Sequence, residues 1–223
     1  MPYSKFPDVD ALITRAGKAL ALIEKQYNDA LSQQQLPSTL QLDIKDYLQT
    51  LRSSLDYVSN RIPGFNKNFP MCEHANGLPN ALRGADAATA AVFSKWQPYQ
   101  HSWLRWFNWL NNEHKHAMLV PQKRSETVQV QVSGGGGGSV TWDASAVKFG
   151  SGVSMMGVPI DPRTQMPVPN NVVRTERLTW VDFTFSPEGA PASFGSNVSA
   201  LPLLKQCFQD VPEIVKELET AIP

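Results

Sequence analysis

The chain has 223 residues, long enough for one large domain or a domain carrying a substantial insertion, so a core can form without a disulfide or metal staple. Its 20 Lys and Arg balance 20 Asp and Glu, which excludes a global field drawing in nucleic acid or an acidic membrane; such binding would have to come from local geometry. Cys72 and Cys207 stand far apart without a pairing pattern, the N-terminus lacks the apolar core of a leader, and no run approaches about 18 apolar residues. These features together read as a soluble, reduced, cytoplasmic protein.

In chain order, Leu12, Ala16, Ala19, Leu20, Ile23, Tyr27, Ala30 and Leu31 recur at three and four, predicting a helix from Asp8 to about residue 34, with Asp8 placed to cap behind Pro7. After Leu36-Pro37-Ser38 a second helix follows, in which Ile44, Leu48, Leu51, Leu55, Val58 and Ile62 form one stripe. The short connection predicts an antiparallel pair. Residues 63–85, rich in Pro, Gly and Asn, read as a long loop anchored by Phe65, Phe69 and Met71. Asp86 is placed to cap a helix over Ala87 to Lys95, Trp96-Gln97-Pro98-Tyr99 forces a turn, and a further helix runs from about His101 to residue 117.

The pattern changes at residues 120–121. Residues 127–132 alternate with period two and pair as a hairpin with residues 139–142 across the glycine run 134–138. Further strands are predicted at Ala146 to Phe149, Val153 to Ile160 and residues 172–185, where Thr179, Val181, Phe183 and Phe185 share one face. A closing helix begins near Ser199, with Leu204, Cys207, Phe208, Val211, Ile214, Val215, Leu218 and Ile222 on its apolar face; Pro212 should kink or restart it near Asp210. The fold class is α+β: an N-terminal helical bundle over 1–120, an antiparallel β-sheet or small sandwich over 121–198, and a C-terminal helix over 199–223 that packs on the helices or on the sheet.

The glycine run is no phosphate loop, because a strand follows it and neither a helix nor a Lys does. His114-Lys115-His116 and Cys72-Glu73-His74 suggest metal ligation, but residues two apart on a helix point about 200° apart. With four His and two Cys in all, the reading is no metal and no cofactor. The helix from His101 is more informative. Trp103, Trp106, Phe107 and Leu110 make its apolar stripe, while Arg105, Asn108, Asn112 and His116 line a polar one, with Asn112 and His116 one turn apart. Arg52 and Asp56, also four apart, are placed to reach the seam between helices, where Asp56 could hold one tautomer of His116; otherwise they form a surface pair.

The succession LRSSLDYVSNRI, FPM, WQPYQ and WLRWFNWLNNEHKHAMLVPQ resembles a group of bacterial and phage-associated proteins similar to the HEPN superfamily of helical proteins. The resemblance covers roughly residues 40–122 and, more loosely, GVPID, WVDFTF and the closing helix. HEPN nucleases carry an Arg, a polar residue often Asn, three variable residues and a His. In that register Asn112 and His116 match, and Asn111 stands where the Arg is expected. The resemblance implies a metal-independent attack of an RNA 2′-hydroxyl on the adjacent phosphate, helped by the His, with the Arg stabilising the developing charge. Loss of such a stabiliser costs a factor of about 100 to 1,000. Lys115 is the nearest substitute cation; Arg105 lies roughly 16 Å before His116 along a straight helix unless a second copy supplies it.

Two readings follow. In the first, a non-catalytic HEPN-like helical domain with a β insertion serves as a structural or interaction module, and Asn111, Asn112, Lys115 and His116 satisfy loop carbonyls around FPM and QPY. In the second, the same residues, supported by Asp56, Arg52, Arg105 and Asn108, form a metal-independent endoribonuclease of phage defence or a toxin system. The expected partners are RNA for the second reading and a second copy of the chain, since HEPN domains often pair with their motifs facing; no membrane partner is expected.

Overall fold

The computed structural model describes residues 2–33, 36–65, 67–116, 120, 122–134, 138–143, 146–168, 173–186, 194 and 197–222, without the side chains at 38, 114–116, 127–128, 134, 173–174 and 176–180. The chain divides into two compact units, the first built from residues 1–123 and 183–223, the second from 124–182. The described elements are α+β, with helices at both ends of the chain and small antiparallel sheets between them.

The first unit is organised around three long helices, α1 (Pro7–Gln33), α2 (Ser38–Ser59) and α6 (Ala200–Ala221), each packed on the other two. The α2 stripe is the reason: Ile44, Leu48, Leu51, Leu55 and Val58, with Ile62 just beyond, are at most 1% exposed. From α1, Val9, Ile13, Ala16, Ile23, Tyr27 and Ala30 complete that interior, and α6 adds Leu204, Cys207, Val211, Ile214, Val215 and Leu218. Ion pairs tie the helix surfaces, Lys205 to Glu24 at 2.5 Å and Arg61 to Asp8 at 2.5 Å. Asp8 therefore lies inside the first turn of α1 facing Arg61 and does not cap the helix; the Arg61 guanidinium holds its carboxyl below the ordinary value.

Pro212 does not divide α6, which is one helix from Ala200 to Ala221. Proline removes one backbone hydrogen bond, but the buried residues on both sides of it belong to one continuous apolar face, and burying that face outweighs the local loss. Two shorter helices of the unit are α4 (Ala87–Lys95) and α5 (Ser102–His116). Asp86 caps α4, its carboxylate accepting from the Thr89 amide and hydroxyl at 2.9 Å each. Those bonds hold its carboxyl below the ordinary value.

Residues 63–85 are more ordered than a plain loop. They contain a 3₁₀ turn at Ala75–Gly77 and a single helical turn, α3 (Leu78–Ala81). Proline in the first turn of α3 suits that position, since its missing N–H would be unpaired there anyway. The ends of this excursion meet: a side chain on Gly84 would stand 2.6 Å from the Gly64 carbonyl oxygen, and both glycines have positive φ.

Strands β1 (Gln122–Gly134), β2 (Ser139–Asp143), β6 (Val173–Phe185) and β7 (Val198–Ser199) form one sheet in the order β2-β1-β6-β7. Within the first unit, β7 pairs antiparallel with the end of β6, Thr184 opposite Ser199. Phe183 and Phe185 enter the helical core; the Phe183 amide donates to the Tyr27 hydroxyl at 3.1 Å and the two rings meet edge to face. Their burial follows the alternation read from the sequence, whereas the side chain of Thr179 lies outside the described set.

In the second unit β1 and β2 form the expected antiparallel hairpin, Val130 opposite Trp142 and Val132 opposite Val140; residues 135–137 of the glycine run lie outside the described residues. The predicted strand at Ala146 to Phe149 is a turn and irregular chain, fixed by the Gln165 side chain, which bonds both the amide and the carbonyl of Phe149. The predicted strand Val153 to Ile160 is two strands, β3 (Ser154–Met155) and β4 (Val158–Asp161), because Met156 and Gly157 both take positive φ and reverse the chain. With β5 (Met166–Pro167) these form a separate three-stranded sheet, and Val130, Val132, Trp142 and Ile160 make the unit's core.

Candidate functional site

The polar residues singled out in the sequence gather around α5 and the middle of α2, two helices in contact. On α5 the aromatic stripe is buried as its spacing requires, with Trp103, Trp106, Phe107, Trp109 and Leu110 all below 10% exposed. Asn111 continues that buried face. It is 2% exposed, its amide donates to the Phe107 carbonyl at 2.9 Å, and its buried Oδ1 has no hydrogen-bond partner among the described residues. Asn112, one residue on, is exposed, as a step of about 100° around the helix demands. The two asparagines therefore do not act on one surface.

Asn108 faces the excursion between α2 and α4, its amide donating to Glu73 Oε1 at 2.9 Å, and Arg105 is half-buried. The backbone of Lys115 and His116 completes α5, and their side chains lie outside the described set, as does that of His114.

Arg52 and Asp56 do more than pair on a surface. Asp56 accepts the Phe69 amide at 3.0 Å, and Arg52 Nη2 donates to the Phe69 carbonyl at 2.8 Å, so both backbone groups of Phe69 are held by one turn of α2. The two side chains also bond each other, Arg52 Nε reaching the Asp56 carboxylate at 3.2 Å, and are less than 20% exposed. Burial pushes the Arg52 guanidinium below its ordinary value while Asp56 pulls against that shift, and among the described residues the buried Arg52 Nη1 has no partner.

The next residues along the excursion are met by Gln97. Its amide donates to the carbonyls of Pro70 at 2.9 Å and Phe93 at 2.7 Å, and its oxygen accepts from the Cys72 amide at 2.9 Å. Loop carbonyls around FPM are thus satisfied by Arg52 and Gln97, while the Asn111 amide is spent within its own helix. Gln97 is fully buried and had a visible signal in the sequence, a long amide between Trp96 and Pro98 in an aromatic neighbourhood. Such a residue reaches the interior only if it finds partners there.

No protein-family model, no curated protein and no solved structure matches this chain.

The chemistry of the cluster is accordingly that of a clamp. Asp56, Arg52 and Gln97 together hold the backbone of Phe69, Pro70 and Cys72 against α2 and α4, and Phe69 itself packs edge to face on Phe93. Cys72 is half-buried and Cys207 fully buried, both unpaired thiols raised above the ordinary value by burial. Among the described residues no group of three or more His, Cys, Asp and Glu gathers to hold a metal ion, and no helix is long and apolar enough to cross a membrane.

Proposed function

We propose that this chain is a non-catalytic, HEPN-like helical module that acts through its surface, with residues 124–182 as an inserted second unit. The observation that carries the reading is the state of Asn111. At the position where the nuclease pattern places its Arg stands an uncharged side chain, 2% exposed, whose amide is committed to the Phe107 carbonyl. Stabilising charge on a phosphate requires a donor aimed at the reacting oxygen from a site that substrate can enter, and a buried Asn bonded within its helix offers neither charge nor access. Arg52 and Asp56, the cation and carboxylate that α2 contributes beside this helix, are occupied with the backbone of Phe69.

The test is an RNA-cleavage assay with chelator present, on purified wild type, Asn112→Ala and His116→Ala. The expected result is no cleavage above the protein-free blank for any of the three. Cleavage by the wild type that either substitution removes would overturn the proposal and restore the metal-independent ribonuclease.

A further inference from the structure

Helices α1 and α2 leave a cleft along their outer face, in two joined lobes of about 290 and 140 Å³ that share Arg15, Asp46 and Thr50. Helical spacing builds it. Arg15, Ala19 and Leu22 lie at steps of four and three on α1, and Asp43, Asp46, Tyr47 and Thr50 occupy the matching face of α2. The smaller lobe has an apolar wall of Ala19, Leu22 and the Tyr47 ring, whose hydroxyl is turned away to the Leu204 carbonyl at 2.7 Å. Leu22 is 50% exposed, a large apolar side chain left uncovered beside charged groups.

Among the described residues of the unit, some charged side chains close into ion pairs and others, such as Lys18, Lys25 and Lys45, do not. Arg61 with Asp8, Lys205 with Glu24 and Lys95 with Glu217 all close into ion pairs between elements. Arg15 and Asp46 face the same space from opposite helices, and neither side chain has an ion-pair or hydrogen-bond partner among the described residues. Asp43, by contrast, already accepts from the Gln26 amide at 2.9 Å, and the Thr50 hydroxyl is returned to the Asp46 carbonyl at 2.7 Å. What the cleft offers is one free guanidinium, one free carboxylate across a gap, and an apolar wall next to both.

We propose that the α1–α2 cleft binds a free α-amino acid with an apolar side chain. Its carboxylate sits on the Arg15 guanidinium, its ammonium on the Asp46 carboxylate, and its side chain in the smaller lobe against Ala19, Leu22 and Tyr47. A zwitterion satisfies both unpaired charges at once, which an anion or a cation alone does not. The site is distinct from the α2–α5 clamp, and its occupancy is read by binding, so the outcome is independent of any result with RNA.

The experiment titrates the full chain calorimetrically with L-leucine, with N-acetyl-L-leucine, which lacks the ammonium, and with L-leucinamide, which lacks the carboxylate. Saturable binding of L-leucine is expected, weakened about tenfold or more by either cap and by Arg15→Gln or Asp46→Asn, the scale of losing one charge-assisted hydrogen bond. The capped ligands test the wild type directly, so the result does not depend on the variants folding. No saturable binding of L-leucine, equal binding of the capped forms, or wild-type affinity in both folded variants overturns the proposal. Self-association of the unliganded chain that Arg15→Gln abolishes also overturns it, because a second copy would then occupy the cleft.

Discussion

Gln97 shows how much one buried side chain can organise. Its amide group makes three hydrogen bonds to backbone, and none of the groups it meets has an evident alternative once the side chain is shortened. Leaving buried donors and acceptors unpaired costs about 1–3 kcal/mol each, partly relieved by water where the Cys72 side is half-open. Gln97→Ala is therefore expected to lower unfolding stability by about 2–4 kcal/mol in urea titration. Asp56→Ala strands the half-buried Arg52 guanidinium and the Phe69 amide, with an expected loss of about 2–3 kcal/mol after discounting for partial exposure. Because both residues grip consecutive backbone of one segment, the double variant should lose less than the sum of the single losses, by about 1 kcal/mol. Strict additivity would show that the two grips act on independent structures. In the sequence, Arg52 and Asp56 were visible as a pair at helical spacing, but their target was not, since i,i+4 spacing says which side chains are neighbours and nothing of what backbone they meet. The same holds for Asn111 and Asn112, adjacent in a polar run and separated by burial: the aromatic stripe at Trp103, Phe107 and Leu110 already implied that one of them would turn inward.

At the scale of elements, the long helices followed from spacing because their stabilisation comes from continuous apolar faces, which periodicity reports directly. The path of the excursion between α2 and α4 did not, because beyond its buried anchors Phe65 and Phe69 it is shaped by backbone geometry and a few polar side chains. Its closure depends on Gly64 and Gly84, whose backbones approach so closely that a Cβ on Gly84 would overlap the Gly64 carbonyl at 2.6 Å, at φ +98. Gly84→Ala meets both a strained dihedral and a backbone clash, and an expected loss of about 2–4 kcal/mol follows. Gly150→Ala is the matched control, with nothing within 4 Å of the added carbon, and should change stability by less than about 1 kcal/mol. Equal effects of the two substitutions in chemical denaturation would remove the closing role of Gly84. The short strands failed to emerge from alternation for a related reason. A run such as residues 153–160 is apolar enough to read as one strand, yet the positive φ of Met156 and Gly157 cuts it in two, and only Gly157 advertises that turn by residue type.

At the scale of the whole molecule, composition shifts at residues 120–121, but the first unit runs on to residue 123 and resumes at 183, so that Phe183 and Phe185 belong with the helices. Alternation identified these residues as sharing a face without saying which core the face would meet; that is decided by Tyr27 and the helices it lies among. The chain leaves and rejoins the first unit at neighbouring points. The Thr184 hydroxyl reaches the Lys123 carbonyl at 3.4 Å, and on the other side of the division the Ser125 hydroxyl reaches the Asp182 carbonyl at 3.4 Å. Two strands held side by side at this spacing can be joined by a two-residue turn. Among the described residues, the apolar core of the first unit includes none from 124–182, and that second unit has a core of its own in Val130, Val132, Trp142 and Ile160. Replacing residues 124–182 with Asn-Gly is therefore expected to leave a chain that retains its helical circular dichroism and unfolds in one cooperative transition, with stability changed by on the order of 1–3 kcal/mol through altered loop closure. Loss of the cooperative transition would mean that the helical unit needs its insertion to fold. Retention would place the determinants of the helical fold in α1, α2, α4, α5 and α6 with the Phe183–Phe185 strand end, and would free the inserted unit to vary without cost to that core.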